Sequence, residues 1–192
     1  MAKVAHENAK RVLRGGGTLG GFGYVLPCDY YWSKHVVGIK PFNVFGYPEN
    51  HKVGMESMVL QAYRQIKSTD LVNLFKSYKG EFKDGEQRRD FLYVKDAAKA
   101  IVDVALDISI SGLYNLGSGW STTWNELVGY VFEAMGKKVS INYIEMPEVL
   151  RGKYQYATCA DMTKLRGVLP NYTVTPLKYA IMDYVKNYLE KD

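Results

Sequence analysis

From Val36 onward, short apolar runs take turns with longer stretches in which apolar residues recur every three or four positions. The short runs read as strands and the longer stretches as amphipathic helices. VVGIKPFNVFG (36–46) predicts one buried strand, in which Pro41 removes a ladder donor. Residues 55–66 place Met55, Met58, Val59, Ala62 and Ile66 on one helical face. LVNLF (71–75) and FLYV (91–94) predict strands on either side of a charged loop, KSYKGEFKDGEQRR. Residues 95–108 predict a helix with Ala98, Ile101, Val102, Ala105 and Ile108 facing inward, followed by a strand and turn in GLYNLGSG (112–119). Thr123 and Glu126 have the spacing of a capping box ahead of Leu127, Tyr130, Val131, Ala134 and Met135, and Gly136 can stop that helix. VSINYIEMP (139–147) is a further strand, and Thr175–Pro176 opens a last helix with Leu177, Ala180, Ile181, Tyr184 and Tyr188 along one side. Strands alternating with helices argue an α/β fold.

Residues 1–29 follow a different pattern. RVLRGGGTLGGFG is glycine-rich loop, and Gly15, Gly17 and Gly20 formally satisfy G-x-G-x-x-G. A dinucleotide fingerprint needs a hydrophobic strand before it and a helix after it, and neither flank is present. The segment is also shorter than a βαβ unit of about 30 residues. The expected organisation is an irregular leader at 1–29, with no complete nucleotide-binding unit, and a folded portion at 30–192.

Composition narrows the function classes. With 192 residues and 47% hydrophobic content the chain can bury a sizeable core. A net charge of +5 suits an anionic ligand, and the basic residues are spread out rather than clustered, which argues against a nucleic-acid interface. Cys28 and Cys159 stand far apart and only three histidines occur, so no zinc spacing exists and no metal is expected. No apolar run reaches the roughly 18 residues of a membrane span, and the N-terminus lacks the apolar core of a signal peptide, so a cytoplasmic chain is expected.

Two groups of residues can carry chemistry. Tyr30 and Lys34 have the Tyr-x-x-x-Lys spacing that sets both side chains on one helical face, but Tyr63 and Lys67 repeat it. Arg88, Arg89 and Asp90 precede an aromatic strand. An arginine held there suits a diphosphate oxygen, and a surface arginine paired with Asp90 fits the same residues.

FNVFG (42–46), RRDFLYVKDAAKA (88–100) and GLYNLGSG (112–119) resemble the extended short-chain dehydrogenase/reductase family, the NAD-dependent epimerases and dehydratases of nucleotide-activated sugars. PENHKVGM (48–55), LFKSYKGEFKDGEQRRDF (74–91), RGKYQYATCADMTKLR (151–166) and DYVKNYL (183–189) resemble its ADP-heptose 6-epimerase branch. The likeness covers about residues 36–190. It implies an incomplete α/β chain: the C-terminal part of a Rossmann-like fold with its substrate-binding domain. It also implies NADP as cofactor, an ADP-activated heptose as substrate, inversion at the sugar C6 through transient oxidation, and association into a homo-oligomer.

Carried over residue by residue, the resemblance makes Tyr30 and Lys52 the catalytic acid/base pair. Lys34 and Val44 would meet the cofactor, and Asn43, Phe75, Lys76, Ser77, Arg89 and Tyr154 would hold the substrate. Gly54 and Gln61 depart from a serine and a histidine found in some members. From the residues alone, Lys52 is an exposed loop lysine. A non-catalytic ADP-sugar-binding or assembly fragment, or an enzyme acting on another nucleotide sugar, would share most of these features.

Overall fold

The run at 36–46 is two strands, not one. In the computed structural model, which describes residues 24–27, 36–52 and 54–191, a first strand at Tyr24–Pro27 (β1) precedes Val36–Pro41 (β2) and Val44–Phe45 (β3). Pro41 has no amide hydrogen to continue a ladder. Asn43, two residues on, sits at φ 26°, the positive side that asparagine tolerates better than most residues. The chain turns there, and the two pieces enter different sheets. β2 pairs antiparallel with β1 and parallel with Gly112–Leu116 (β7), from Val37 opposite Gly112 to Pro41 opposite Leu116. β3 pairs parallel with Leu92–Tyr93 (β6).

Two more strand pairs complete the described sheets. Val72–Phe75 (β4) runs parallel to Ile141–Ile144 (β9), and Arg88–Asp90 (β5) runs antiparallel to Ser121–Thr123 (β8). Parallel neighbours need crossovers, which the helices Met58–Thr69 (α1), Val94–Leu106 (α2) and Trp124–Ala134 (α3) supply. Short helices at Glu148–Arg151 (α4) and Thr163–Val168 (α5) lead to Leu177–Tyr184 (α6), which continues as a π-helical turn through Leu189.

Local signals hold where a single cap or stripe decides the outcome. α3 begins with the Thr123–Glu126 capping box and ends ahead of Gly136, at φ 66°. α1 starts later than its apolar stripe suggests: the Ser57 hydroxyl accepts the Leu60 amide hydrogen at 3.3 Å, so Met55 lies outside the helix and is exposed. α2 presents a different face from the predicted one. Ala97, Ala100 and Val104 are buried, Ala98, Val102 and Ala105 are exposed, Ile101 is half-buried, and Ile108 lies beyond the helix end. Lys95, Asp96, Lys99 and Asp103 share one side, and the apolar arc opposite is wide, so the pattern leaves open which stripe of that arc is buried. Its small residues Ala97 and Ala100 pack with Val37, Ile39 and Leu116 of the β2–β7 ladder.

β6 divides two cores. Leu92 joins the cluster of Val37, Ile39, Leu116 and Leu165, while Tyr93 joins the cluster in which α1, α3 and α6 meet around Phe45, Phe132 and Ile181. Consecutive strand residues point to opposite faces, which allows one strand to serve both.

Asp183 on α6 clamps this junction. Lys95 Nζ and Tyr93 Oη both donate to its Oδ2 at 2.6 Å, and Asn187 donates to Oδ1 at 2.7 Å. The Lys95 bond, then the Tyr93 bond, hold the Asp183 carboxyl down at about 2, against an ordinary 3.8. A folded value below the unfolded one contributes stability above the unfolded value and loses it as pH falls through the folded one. Thermal midpoints should therefore decline between about pH 4 and about pH 2, and Asp183→Asn should flatten that part of the profile. Parallel profiles for the two proteins would remove Asp183 as the cause.

Candidate functional site

A cavity of about 1340 Å³ opens beside α1, β3 and the start of α3. Asn43, Val44, Lys52, Phe75, Trp124 and Tyr154 are among its lining residues, from segments spread over more than half the chain. It exceeds the usual range of small-molecule pockets and has room for a nucleotide joined to a sugar.

Lys52 is not a free loop lysine. Its Nζ lies 3.7 Å from Glu49 Oε2, and its backbone amide donates to the Glu49 carbonyl at 2.9 Å. Glu49 is buried and accepts hydrogen bonds from the Gly46 amide at 3.0 Å, the Ser57 amide at 2.7 Å and the Ser57 hydroxyl at 2.8 Å. These three hydrogen bonds fix the position of the Glu49 side chain, which anchors the lysine at the cavity wall. Sequence reasoning missed Glu49; the available signal was an acid three residues before the lysine in PENHK. Gly54 closes the same loop at φ 76°, a conformation that would strain the serine seen in some family members. Gln61 also lines the cavity, its Nε2 donating to the Glu56 carbonyl at 2.8 Å.

Arg89 and Asp90 do not pair with each other. Asp90 is fully buried and accepts from the Ser118 amide and hydroxyl at 2.8 and 2.7 Å and from the Gly119 and Ala160 amides at 3.0 Å each. Its backbone carbonyl takes the Asn43 side-chain amide at 2.8 Å, which ties Asn43 to β5. The Arg89 guanidinium instead lies 5.3 Å from the Tyr154 ring and 5.8 Å from the Trp124 ring. Among the described residues it enters no ion pair, and its one hydrogen bond goes to the Arg88 carbonyl. Burial pulls its pKa below the ordinary arginine value, and burial raises the Tyr154 phenol. A half-buried cation on aromatic rings, without a protein anion, keeps its charge available to an anion.

The remaining candidates separate. Phe75 lines the cavity, but Lys76 reaches Glu145 at 2.6 Å, and the Ser77 amide donates to Asp84 at 2.7 Å. The Glu145 bond raises the Lys76 pKa. Tyr63, of the second Tyr-x-x-x-Lys, is buried and donates to the Leu189 carbonyl at 2.8 Å, so that copy of the motif is a core tie. Tyr30 and Lys34 lie outside the described residues, as do Gly15, Gly17 and Gly20. Among the described residues no cluster of histidine, cysteine or acids could hold a metal, and no helix is long and apolar enough to cross a membrane.

Residues 27–117 match the family model described as NAD dependent epimerase/dehydratase family. This segment belongs to that family. The epimerase/dehydratase likeness extends well beyond it. The chain is 42% identical over 154 residues to the ADP-L-glycero-D-manno-heptose-6-epimerase of Nitratidesulfovibrio vulgaris, covering 80% of this chain and 48% of that protein. It is likewise 42% identical over 161 residues to the enzyme of that name in Fusobacterium nucleatum, covering 81% and 48%. The crystal structure of the Helicobacter pylori ADP-L-glycero-D-manno-heptose-6-epimerase aligns with a TM-score of 0.64 at 32% identity, covering 79% of this chain and 43% of that one. The chain thus spans about half the length of the curated relatives it matches. Its fold is the mixed α/β arrangement expected from the motifs, the C-terminal part of the Rossmann-like epimerase/dehydratase fold.

Proposed function

We propose that this chain carries the sugar-nucleotide side of an ADP-heptose 6-epimerase. The supporting observation is the meeting of Asn43, Val44, Lys52, Phe75 and Tyr154 around one cavity, with the Arg89 guanidinium against Tyr154. In this reading Arg89 takes the diphosphate, and Phe75, Lys76 and Ser77 border its nucleotide part. Asn43 orients the heptose, and Tyr154, beside Arg89, contacts the ligand where the heptose joins the diphosphate. Lys52 Nζ exchanges a proton with the hydroxyl on the sugar C6. Inversion at one carbon needs a proton-transfer group for each orientation of the carbonyl, and Tyr30 is assigned as the second, with Lys34 assigned to the cofactor.

The family is described as NAD dependent, and NADP is the cofactor assigned here, with Val44 at its nicotinamide end. Among the described residues no glycine-rich turn joins a parallel strand to a helix N-terminus, the arrangement that cradles a dinucleotide pyrophosphate. The described residues therefore fit the substrate and do not fit the whole cofactor. Their own chemistry is binding, orientation and proton exchange at Lys52. Association of copies and a cytoplasmic setting belong to the same reading.

Calorimetric titration with ADP and with UDP, followed by incubation with ADP-heptose and NADP, tests it. Preferential ADP binding and appearance of the 6-epimer by chromatography are expected. ADP-heptose binding without conversion would reduce the chain to a sugar-nucleotide-binding module, and no ADP binding would overturn the proposal.

A further inference from the structure

Trp124 was not among the residues that the family motifs single out, yet it touches both halves of the Arg89–Tyr154 pair. Its backbone is pinned: it is the first residue of α3, behind the Thr123–Glu126 capping box, and its amide donates to the Gln87 carbonyl at 3.1 Å. Its ring meets Phe91 edge-on at 5.3 Å, which fixes the indole plane. From that position the ring lies 5.8 Å from the Arg89 guanidinium while Nε1 donates to Tyr154 Oη at 3.0 Å. Tyr154 in turn lies 5.3 Å from the same guanidinium and packs edge-on against Tyr156 at 5.4 Å. The Tyr156 hydroxyl accepts the Tyr78 amide at 3.0 Å, so the aromatic wall continues to the loop after β4.

The direction of the indole bond matters. Tryptophan can only donate, so Tyr154 Oη must accept, and this leaves the phenol's own hydrogen free. No other hydrogen bond from Tyr154 exists among the described residues, and both Trp124 and Tyr154 line the cavity. We propose that Trp124 is a positioning residue of this site: it holds Tyr154 as a hydrogen-bond donor beside Arg89, so that one diphosphate-sugar ligand meets a neutral donor and a cation at fixed spacing. The inference deepens the ADP-sugar reading and rests on it. An arginine and a tyrosine ordered before the ligand arrives lose less side-chain freedom on binding.

The test is a double-mutant cycle on the full chain, with ADP as probe and calorimetry as readout. Trp124→Phe keeps an aromatic ring beside Arg89 and removes the N–H together with part of the indole area. It should weaken ADP binding about five-fold, the loss associated with one neutral hydrogen bond, while the thermal midpoint stays near that of the parent. Tyr154→Phe should weaken binding by a similar or larger factor, and the double variant should be no weaker than Tyr154→Phe alone. Independent, multiplying losses would overturn the proposal, as would unchanged binding by Trp124→Phe. Failure of the parent chain to bind ADP would sink the site reading instead. In that case the Arg89 Nε–H proton resonance still judges the geometry: it should lose its ring-current shift in Trp124→Leu, and an unmoved resonance would refute the contact.

Discussion

Arg89→Met should lower ADP affinity by roughly 10- to 100-fold, the range expected from losing charge-assisted hydrogen bonds worth about 1.5–3 kcal/mol. The reason lies in what Arg89 lacks. Among the described residues no carboxylate neutralises it, and its contacts are the faces of Trp124 and Tyr154. Such a cation keeps its electrostatic capacity for a ligand, whereas one already in an ion pair would have to exchange partners. Methionine preserves most of the volume against the rings and removes the charge, so the fold should survive. Arg89→Lys should recover only part of the affinity, because an ammonium neither stacks flat nor grips two oxygens at once. Raising salt should weaken ADP binding by the parent chain and leave the methionine variant nearly unaffected. Equal affinity of parent and Arg89→Met at low salt would dissociate Arg89 from the ligand altogether.

The neighbouring position should give the opposite phenotype. Asp90→Ala is expected to cost about 3–5 kcal/mol of stability, as other losses of a buried charged partner do. Its carboxylate collects four donors from two separate segments, at Ser118–Gly119 and at Ala160. Alanine would leave those donors without an acceptor in a site that water does not reach. A loss of that size is comparable to the whole stability of a marginal domain, so the variant should unfold at much lower urea or fail to show a cooperative transition by circular dichroism. An unfolding free energy from urea titration within about 1 kcal/mol of the parent's would refute the hub role. The packing around it explains a glycine as well. A Cβ on Gly117 would stand 2.5 Å from Ala160 Cβ and 2.6 Å from Asp90 Oδ2, so the chain approaches the carboxylate only with a bare backbone. Adjacent residues on one short strand thus point apart: Arg89 meets the Trp124 and Tyr154 rings and Asp90 the interior.

The family motifs named most of the cavity-lining candidates before any coordinates, because Asn43, Val44, Lys52, Phe75 and Tyr154 sit in short, recognisable segments. The physics of each residue taken singly did not. Lys52 read as an exposed lysine because the buried Glu49 carboxylate beside it depends on the Gly46 and Ser57 donors that the loop brings round. Arg89 was ambiguous between a ligand and Asp90, and contacts 28 and 70 residues away from Asp90 exclude the pairing with Asp90. Trp124 was not singled out by the sequence reading at all.

What the amino-acid order determined by itself is local: the capping box of α3, the apolar stripe of α6, the alternation of strands and helices, and the stop at Gly136. These depend on residues within about one helical turn of each other, and a single chain carries that information directly. Tertiary structure alone decided that 36–46 breaks into two sheets, that α2 buries Ala97, Ala100 and Val104, and that Asp90 rather than Arg89 faces inward. In each case the local sequence permits more than one arrangement, and the choice is completed by partners that only the folded chain brings together.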